Sequence, residues 1–116
     1  MVKATLEPGL VALVDFGTTV GREQAGTRPG VVISCADYHD VMTDVALMVP
    51  CTRRDRGWIN HVMLDGPTGI SVTTFAITEQ TRAIDVQRIL RVTGSVSQDN
   101  LREIAMWVRQ WIYAAA

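Results

Sequence analysis

Three short stretches of this chain bring acids, amides and arginines together in loop-like surroundings. "EQAGTRPG" carries Glu23, Gln24 and Arg28; "TRRDRGW" carries Thr52, Arg53, Arg54, Arg56 and Trp58; "TEQTRAID" carries Glu79, Gln80 and Arg82. A guanidinium offers five N–H donors in a fixed fork, which suits phosphate oxygens. It stays protonated and so cannot serve as a base. A carboxylate five residues upstream of Arg28 could accept a proton instead. In the second stretch three arginines face one aspartate, Asp55, while Asp37, Asp40 and Asp44 cluster elsewhere. That segregation fits a local anionic ligand.

Other chemistries lack their residues. There is no GxSxG, no HExxH, no Walker loop and no DxD. Cys35 and Cys51 form no CxxC pair and have no nearby histidine; both sit in apolar stretches and read as buried, reduced thiols. His39 and His61 are isolated, so neither a metal site nor a cofactor is expected. Net charge is −1, which argues against nucleic-acid binding through bulk charge. Ten of the eleven basic residues are arginine, the better residue for forked phosphate contacts. No apolar run reaches the ~20 residues of a membrane span. The start, "MVKATLEPG", lacks the features of a secretory signal, so a cytoplasmic location is expected.

The elements that must position these loops read mostly as strand. At 116 residues one domain with its own core is expected over 1–116. Apolar, β-branched runs bounded by Gly and Pro predict strands over 10–16, 30–36 and 44–50, with shorter ones at 61–65, 73–78 and 88–96. Between the second and third, "DYHDVMT" reads as a polar turn. Short strands at close spacing suggest a small barrel or strongly bent sheet. Only the tail is helical: Ser97 or Asp99 can cap it, and Leu101, Ile104, Ala105, Val108 and Ile112 recur at helical spacing. Trp107 and Trp111 widen its apolar face and suggest a subunit contact.

"VDFGTTVGREQAGTRPGVVIS" resembles the N-terminal signature of the MazF/PemK family of toxin endoribonucleases. "VPCTR" is similar to the family's later V-P-x-T segment, and "TEQTRAID" to its E/D-Q-x-R-x-I stretch. With the closing helix the resemblance covers nearly the whole chain. It implies a β-rich α+β fold: an SH3-like small barrel of bent antiparallel sheet with a C-terminal α-helix, working as a homodimer. It also implies metal-independent, sequence-specific cleavage of single-stranded RNA. The ribose 2′-hydroxyl attacks the adjacent phosphate and leaves 2′,3′-cyclic phosphate and 5′-hydroxyl ends. The family's catalytic arginine and threonine map onto Arg28 and Thr52, and its loop glutamate onto Glu23. A small cognate antitoxin, MazE-like and partly disordered, is the implied partner, seated in the RNA groove.

The residues suit that chemistry on their own terms. Attack by an internal hydroxyl needs no protein nucleophile, but it does need charge stabilised on the pentavalent phosphorane, which a positioned guanidinium supplies. Glu23 is the first candidate base, and the Thr52 hydroxyl can donate to a non-bridging oxygen or hold the leaving group. His61 is an alternative acid. Gln24, Arg53, Arg54, Arg56, Trp58, Gln80 and Arg82 are candidate RNA-binding residues, with the arginines on phosphates and Trp58 stacking a base for ~1–3 kcal/mol. Thr18 stands where the family commonly has proline, and Gly30 where it has alanine. Two other readings share the fold: a gyrase-poisoning toxin and a non-catalytic SH3-like binding module.

Overall fold

The structure is a computed structural model and describes residues 5–18, 20–21 and 23–113; Thr19 of the T-x-G loop lies outside them. Seven strands and two helices follow in order: β1 (Leu10–Asp15), β2 (Thr27–Val32), α1 (Ala36–Val41), β3 (Val45–Thr52), β4 (His61–Met63), β5 (Phe75–Ile77), β6 (Arg82–Asp85), β7 (Ile89–Ser95) and α2 (Gln98–Ile112). All pairings are antiparallel, in the order β4-β5-β3-β2-β1-β7, with β6 also paired to β3. The sheet is bent, and its end strands β4 and β7 do not pair to close a ring.

Both faces are buried, which is why the strands read as continuous apolar runs rather than alternating ones. Val11, Val31, Val49 and Cys51 point to one side, where Val62, Ala76 and the α2 residues Ile104 and Val108 cover them. Ala12, Val14, Val32 and Met48 point to the other and meet Phe16, Ile84 and Ile89. Ile84 lies on β6 and Ile89 on β7, strands at opposite margins of the sheet, so the bend itself builds this second core.

Two departures from the sequence reading matter for the site. β2 begins at Thr27, so Pro29 lies inside it, paired with Leu13. β3 joins β2 only from Gly30 onward, so the missing N–H of Pro29 falls where that edge is unpaired. The "TEQTRAID" segment is not all loop. β5 and β6 lie along one edge of β3, opposite 51–52 and 45–48, and a 3₁₀ turn at Thr78–Gln80 bulges out between them. Pro50 stands in the skipped stretch of β3 and has no N–H to offer there.

The remaining differences are local. "ADYHDV" forms the short helix α1, which buries none of its residues and so shows no apolar period. The chain leaves the sheet after Val32, and Cys35 becomes the exposed N-cap residue of α1; only Cys51 matches the expectation of a buried thiol. His39 is structural, its Nε2 2.8 Å from Ser34 Oγ. Ser97 caps α2, its Oγ accepting the Asn100 N–H. The buried Asn100 side chain pins α2 to the end of β4 by accepting the Asp65 N–H (3.0 Å) and donating to the Met63 carbonyl (2.9 Å). No helix among the described residues is long and apolar enough to cross a membrane.

Candidate active site

Arg28 sits on β2 where only β1 pairs with it, and its side chain is held by three bonds. Nε donates to the Ala25 carbonyl (2.9 Å), and Nη1 donates to Gln24 Oε1 (2.6 Å) and to the Cys51 carbonyl (3.2 Å). Three of the five N–H donors are thus engaged with the protein, and the two on Nη2 make no hydrogen bond to the described residues. Burial lowers the Arg28 pKa from its ordinary value; Cys51 opposes the shift and Arg56 adds to it. The guanidinium stays charged at neutral pH.

Thr52 is the last residue of β3, paired with Phe75 of β5. Its Oγ1 accepts the Arg54 N–H (3.1 Å), turning the chain so that Arg53 and Arg54 follow at the rim. Arg28, Thr52, Arg53 and Arg54 line a cleft of about 600 Å³, and no carboxylate stands among the described residues that line it. Its opposite wall is Gly69–Val72 with Thr74. That wall is laid against β7: Thr93 Oγ1 donates to the Thr68 carbonyl (2.8 Å) and Ser95 N–H to that of Pro67 (3.0 Å). Gly69 has φ +75°, and a Cβ there would collide with the Thr93 backbone.

Arg54 also lines a second cleft of about 960 Å³, with Gln24, Asp55, Arg56, Trp58, His61, Glu79 and Gln80. Here two arginines meet two carboxylates, so the adjoining clefts differ in charge. The first suits phosphate. In the second, Trp58 is 47% exposed and its ring lies 4.8 Å from that of His61. His61 is buried, its Nε2 3.0 Å from both Glu79 oxygens, and Asn60 Nδ2 donates to Glu79 as well (2.8 Å). Gln80 Oε1 accepts the Gln24 backbone N–H (2.8 Å), joining the turn after β5 to the loop before β2.

The structure therefore gathers Arg28, Thr52, Arg53 and Arg54 in one cleft and Gln24, Arg54, Arg56, Trp58 and Gln80 in the next. It does not bring every candidate in. The exposed Glu23 accepts the Val20 N–H through Oε1 (2.9 Å) and lines neither cleft. Arg82 packs over the Phe16 ring, 5.9 Å from its centroid, and also lines neither. Burial pushes the Cys51 thiol up to about 12 despite the opposing pull of Arg28, which leaves it neutral and inert. The sequence reading missed the Gly69–Thr74 wall, whose only local sign was the breaks at Gly66-Pro67 and Gly69. It also missed Glu79 as the partner of His61. Among the described residues no group of three or more His, Cys, Asp or Glu side chains could hold a metal ion.

Residues 7–112 match the family described as PemK-like, MazF-like toxin of type II toxin–antitoxin systems. The chain is 32% identical over 113 residues to the endoribonuclease PemK of Escherichia coli, covering 89% of this chain and 82% of that one. It is 41% identical over 71 residues to the endoribonuclease toxin MazF of Escherichia coli K12, covering 61% of this chain. It thus spans about 60% of the length of that relative. The crystal structure of MazF from Deinococcus radiodurans superposes with a TM-score of 0.81 at 23% identity, covering 95% of this chain and 98% of that one. A MazE–MazF structure from the same organism gives 0.74 at 23%, covering 95% and 97%. The matched span and the PemK similarity carry one conclusion: the chain belongs to the PemK-like, MazF-like toxin family of type II toxin–antitoxin systems.

Proposed function

We propose that this chain is a toxin endoribonuclease, one domain that cuts single-stranded RNA at specific sequences without a metal. One observation carries the reading: an arginine with two donors left over stands beside Thr52 in a cleft lined by three arginines and no described carboxylate. The scissile phosphate lies in that cleft. The ribose 2′-oxygen attacks phosphorus, the bond from phosphorus to the 5′-oxygen breaks, and the departing 5′-oxygen takes a proton from solvent water, so the products end in a 2′,3′-cyclic phosphate and a 5′-hydroxyl. Arg28 stabilises the charge that builds on the phosphorane, where a preorganised donor counts most. Thr52 donates its hydroxyl to a non-bridging oxygen while accepting the Arg54 N–H. Glu23 takes the 2′-hydroxyl proton; for this its carboxylate turns from the Val20 N–H toward the ribose. The base next to the scissile phosphate enters the second cleft and stacks on Trp58.

Two partners complete the reading. Met106, Trp111, Ile112 and Tyr113 expose apolar surface along the second half of α2 and just past its end, which supports a homodimer. A cytoplasmic ribonuclease needs restraint, and membership of a toxin–antitoxin family together with likeness to antitoxin-bound structures supports an antitoxin partner, which the arginines lining the cleft suit if it is acidic. Its carboxylates would replace RNA phosphates against Arg28 and Arg53. Antitoxin and RNA then compete, and saturating antitoxin that leaves RNA affinity unchanged rules this out.

The deciding experiment incubates purified protein with RNA in EDTA and maps the new ends. Cleavage is expected, with 5′-hydroxyl products and none from a substrate carrying deoxyribose 5′ of the cut. Loss of cleavage in EDTA, or cutting of the deoxyribose substrate, refutes the mechanism.

A further inference from the structure

We propose that Gln24 and Gln80 are positioning residues for the Arg28 guanidinium rather than contacts to RNA; the proposal rests on the endoribonuclease reading above. The Arg28 fork takes two of its three restraints from adjacent residues, the Gln24 side chain and the Ala25 carbonyl. Those two residues sit in the 17–26 loop, which has glycines with positive φ at 17, 21 and 26 and is closed at its base by the Gly26 N–H on the Gly17 carbonyl (2.9 Å). Such a loop holds an arginine no better than it is itself held. The bond from the Gln24 N–H to Gln80 Oε1 adds a hold from outside the loop, at Gln24 itself, across 56 positions of sequence.

Gln80 sits in a turn that is tied down on both sides. Its 3₁₀ turn exists because β5 and β6 do not run on as one strand beside β3, and Thr78 is buried at its base. Thr78 Oγ1 donates to the Asn60 carbonyl (2.8 Å) and accepts from Trp111 Nε1 of α2 (3.1 Å). Thr81 Oγ1 closes the turn on the Thr78 carbonyl (2.9 Å). The sheet edge and α2 therefore fix the turn that carries Gln80, Gln80 binds Gln24, and Gln24 binds Nη1 of Arg28. The side-chain oxygen of each glutamine accepts one bond in this relay, a bond that serves the protein.

A positioning role and an RNA-contact role part company in kinetics. Misplacing a catalytic group by about 1 Å can cost on the order of 10²-fold in rate without weakening the ground-state complex. Gln80→Met keeps the length and removes the acceptor; Gln80→Glu keeps an acceptor for the Gln24 N–H. Expected for Gln80→Met is a fall in kcat of roughly 10–100-fold with KM within about two-fold, and for Gln80→Glu a kcat within about three-fold of wild type. Gln24→Met should reproduce the kcat loss. A raised KM with unchanged kcat in Gln80→Met overturns the proposal, because Gln80 would then touch RNA. Amide exchange supplies a readout without RNA: the Gln24 N–H and Arg28 Nε–H should exchange about ten-fold faster in Gln80→Met than in wild type. Unchanged exchange overturns the relay even if wild-type protein proves unable to cut RNA, an outcome that would sink the endoribonuclease reading separately.

Discussion

Replacing Arg28 by lysine tests whether the site needs a fork or only a positive charge. In the wild type, one N–H on Nε and two on Nη1 bind Ala25, Gln24 and Cys51, which leaves two on Nη2. A lysine ammonium has three donors in all, gathered on one atom. If it satisfies those three oxygens it keeps nothing for phosphate, and if it turns to phosphate it leaves them to water. Removing one preorganised oxyanion donor costs about 2.7–4 kcal/mol, or ~10²–10³ in rate. Arg28→Ala should fall by the full ~10³, and Arg28→Lys by ~10², because the residual charge still helps in a cleft with no carboxylate among its described lining residues. The assay is single-turnover cleavage of a short RNA with enzyme in excess, so that product release does not enter. Circular dichroism should match wild type in both variants, since the cleft is open and water can reach the three oxygens. Lysine within about five-fold of wild type would refute the reasoning, showing that a point charge suffices.

Three more perturbations follow from the same geometry. Thr52→Ala removes both the hydroxyl proposed to donate to the phosphate and the acceptor for the Arg54 N–H, so cleavage should drop ~10²–10³ while Thr52→Ser stays near wild type; single-turnover rates decide. Arg54→Ala withdraws a charge shared by both clefts and should reduce the slope of log affinity against log salt by about 0.7, read from fluorescence anisotropy with a non-cleavable RNA. Cys51 gives a pH dependence whose sign is fixed. Its thiol goes from 9.0 to about 12 on folding, so above pH 9 the unfolded chain releases a proton that the native chain keeps. Stability owed to the neutral thiol is then complete below pH 9 and declines by about 1.4 kcal/mol per pH unit toward 12. In urea titrations the gap between wild type and Cys51→Ala should shrink at that rate, and a constant gap would mean the thiol ionises in place.

The parts of the fold legible in the sequence were those whose signal is local. "LVALVDF" and "DVALMVP" are apolar and β-branched because β1 and β3 are covered on both faces, and α2 shows its period because one stripe meets the sheet. Elements with no buried stripe were invisible. α1 buries nothing, so its residues look like a turn, and β6 buries only Ile84 in a charged tetrapeptide. Cys35 misled for the same reason in reverse. Its apolar neighbours belong to a strand that has already ended when the chain reaches it.

The site divides along the same line. Arg28 and Thr52 could each be picked out from their own stretch, but what makes Arg28 more than a surface arginine is a set of bonds decided by register. β2 pairs with β3 through Gly30 and Pro50, which brings the Cys51 carbonyl within 3.2 Å of the guanidinium. β3 then shares its other edge between β5 and β6, and only that division releases the turn that carries Glu79 and Gln80. Glu79 meets His61 across 18 positions and Gln80 meets Gln24 across 56, distances over which composition says nothing about contact. Glu23 and Arg82 show the converse. Their motifs marked them as strongly as Arg28 was marked, yet one turns to its own loop and the other lies on Phe16. A motif names the residues able to do chemistry, but the pairing of strands decides which of them face a common cleft.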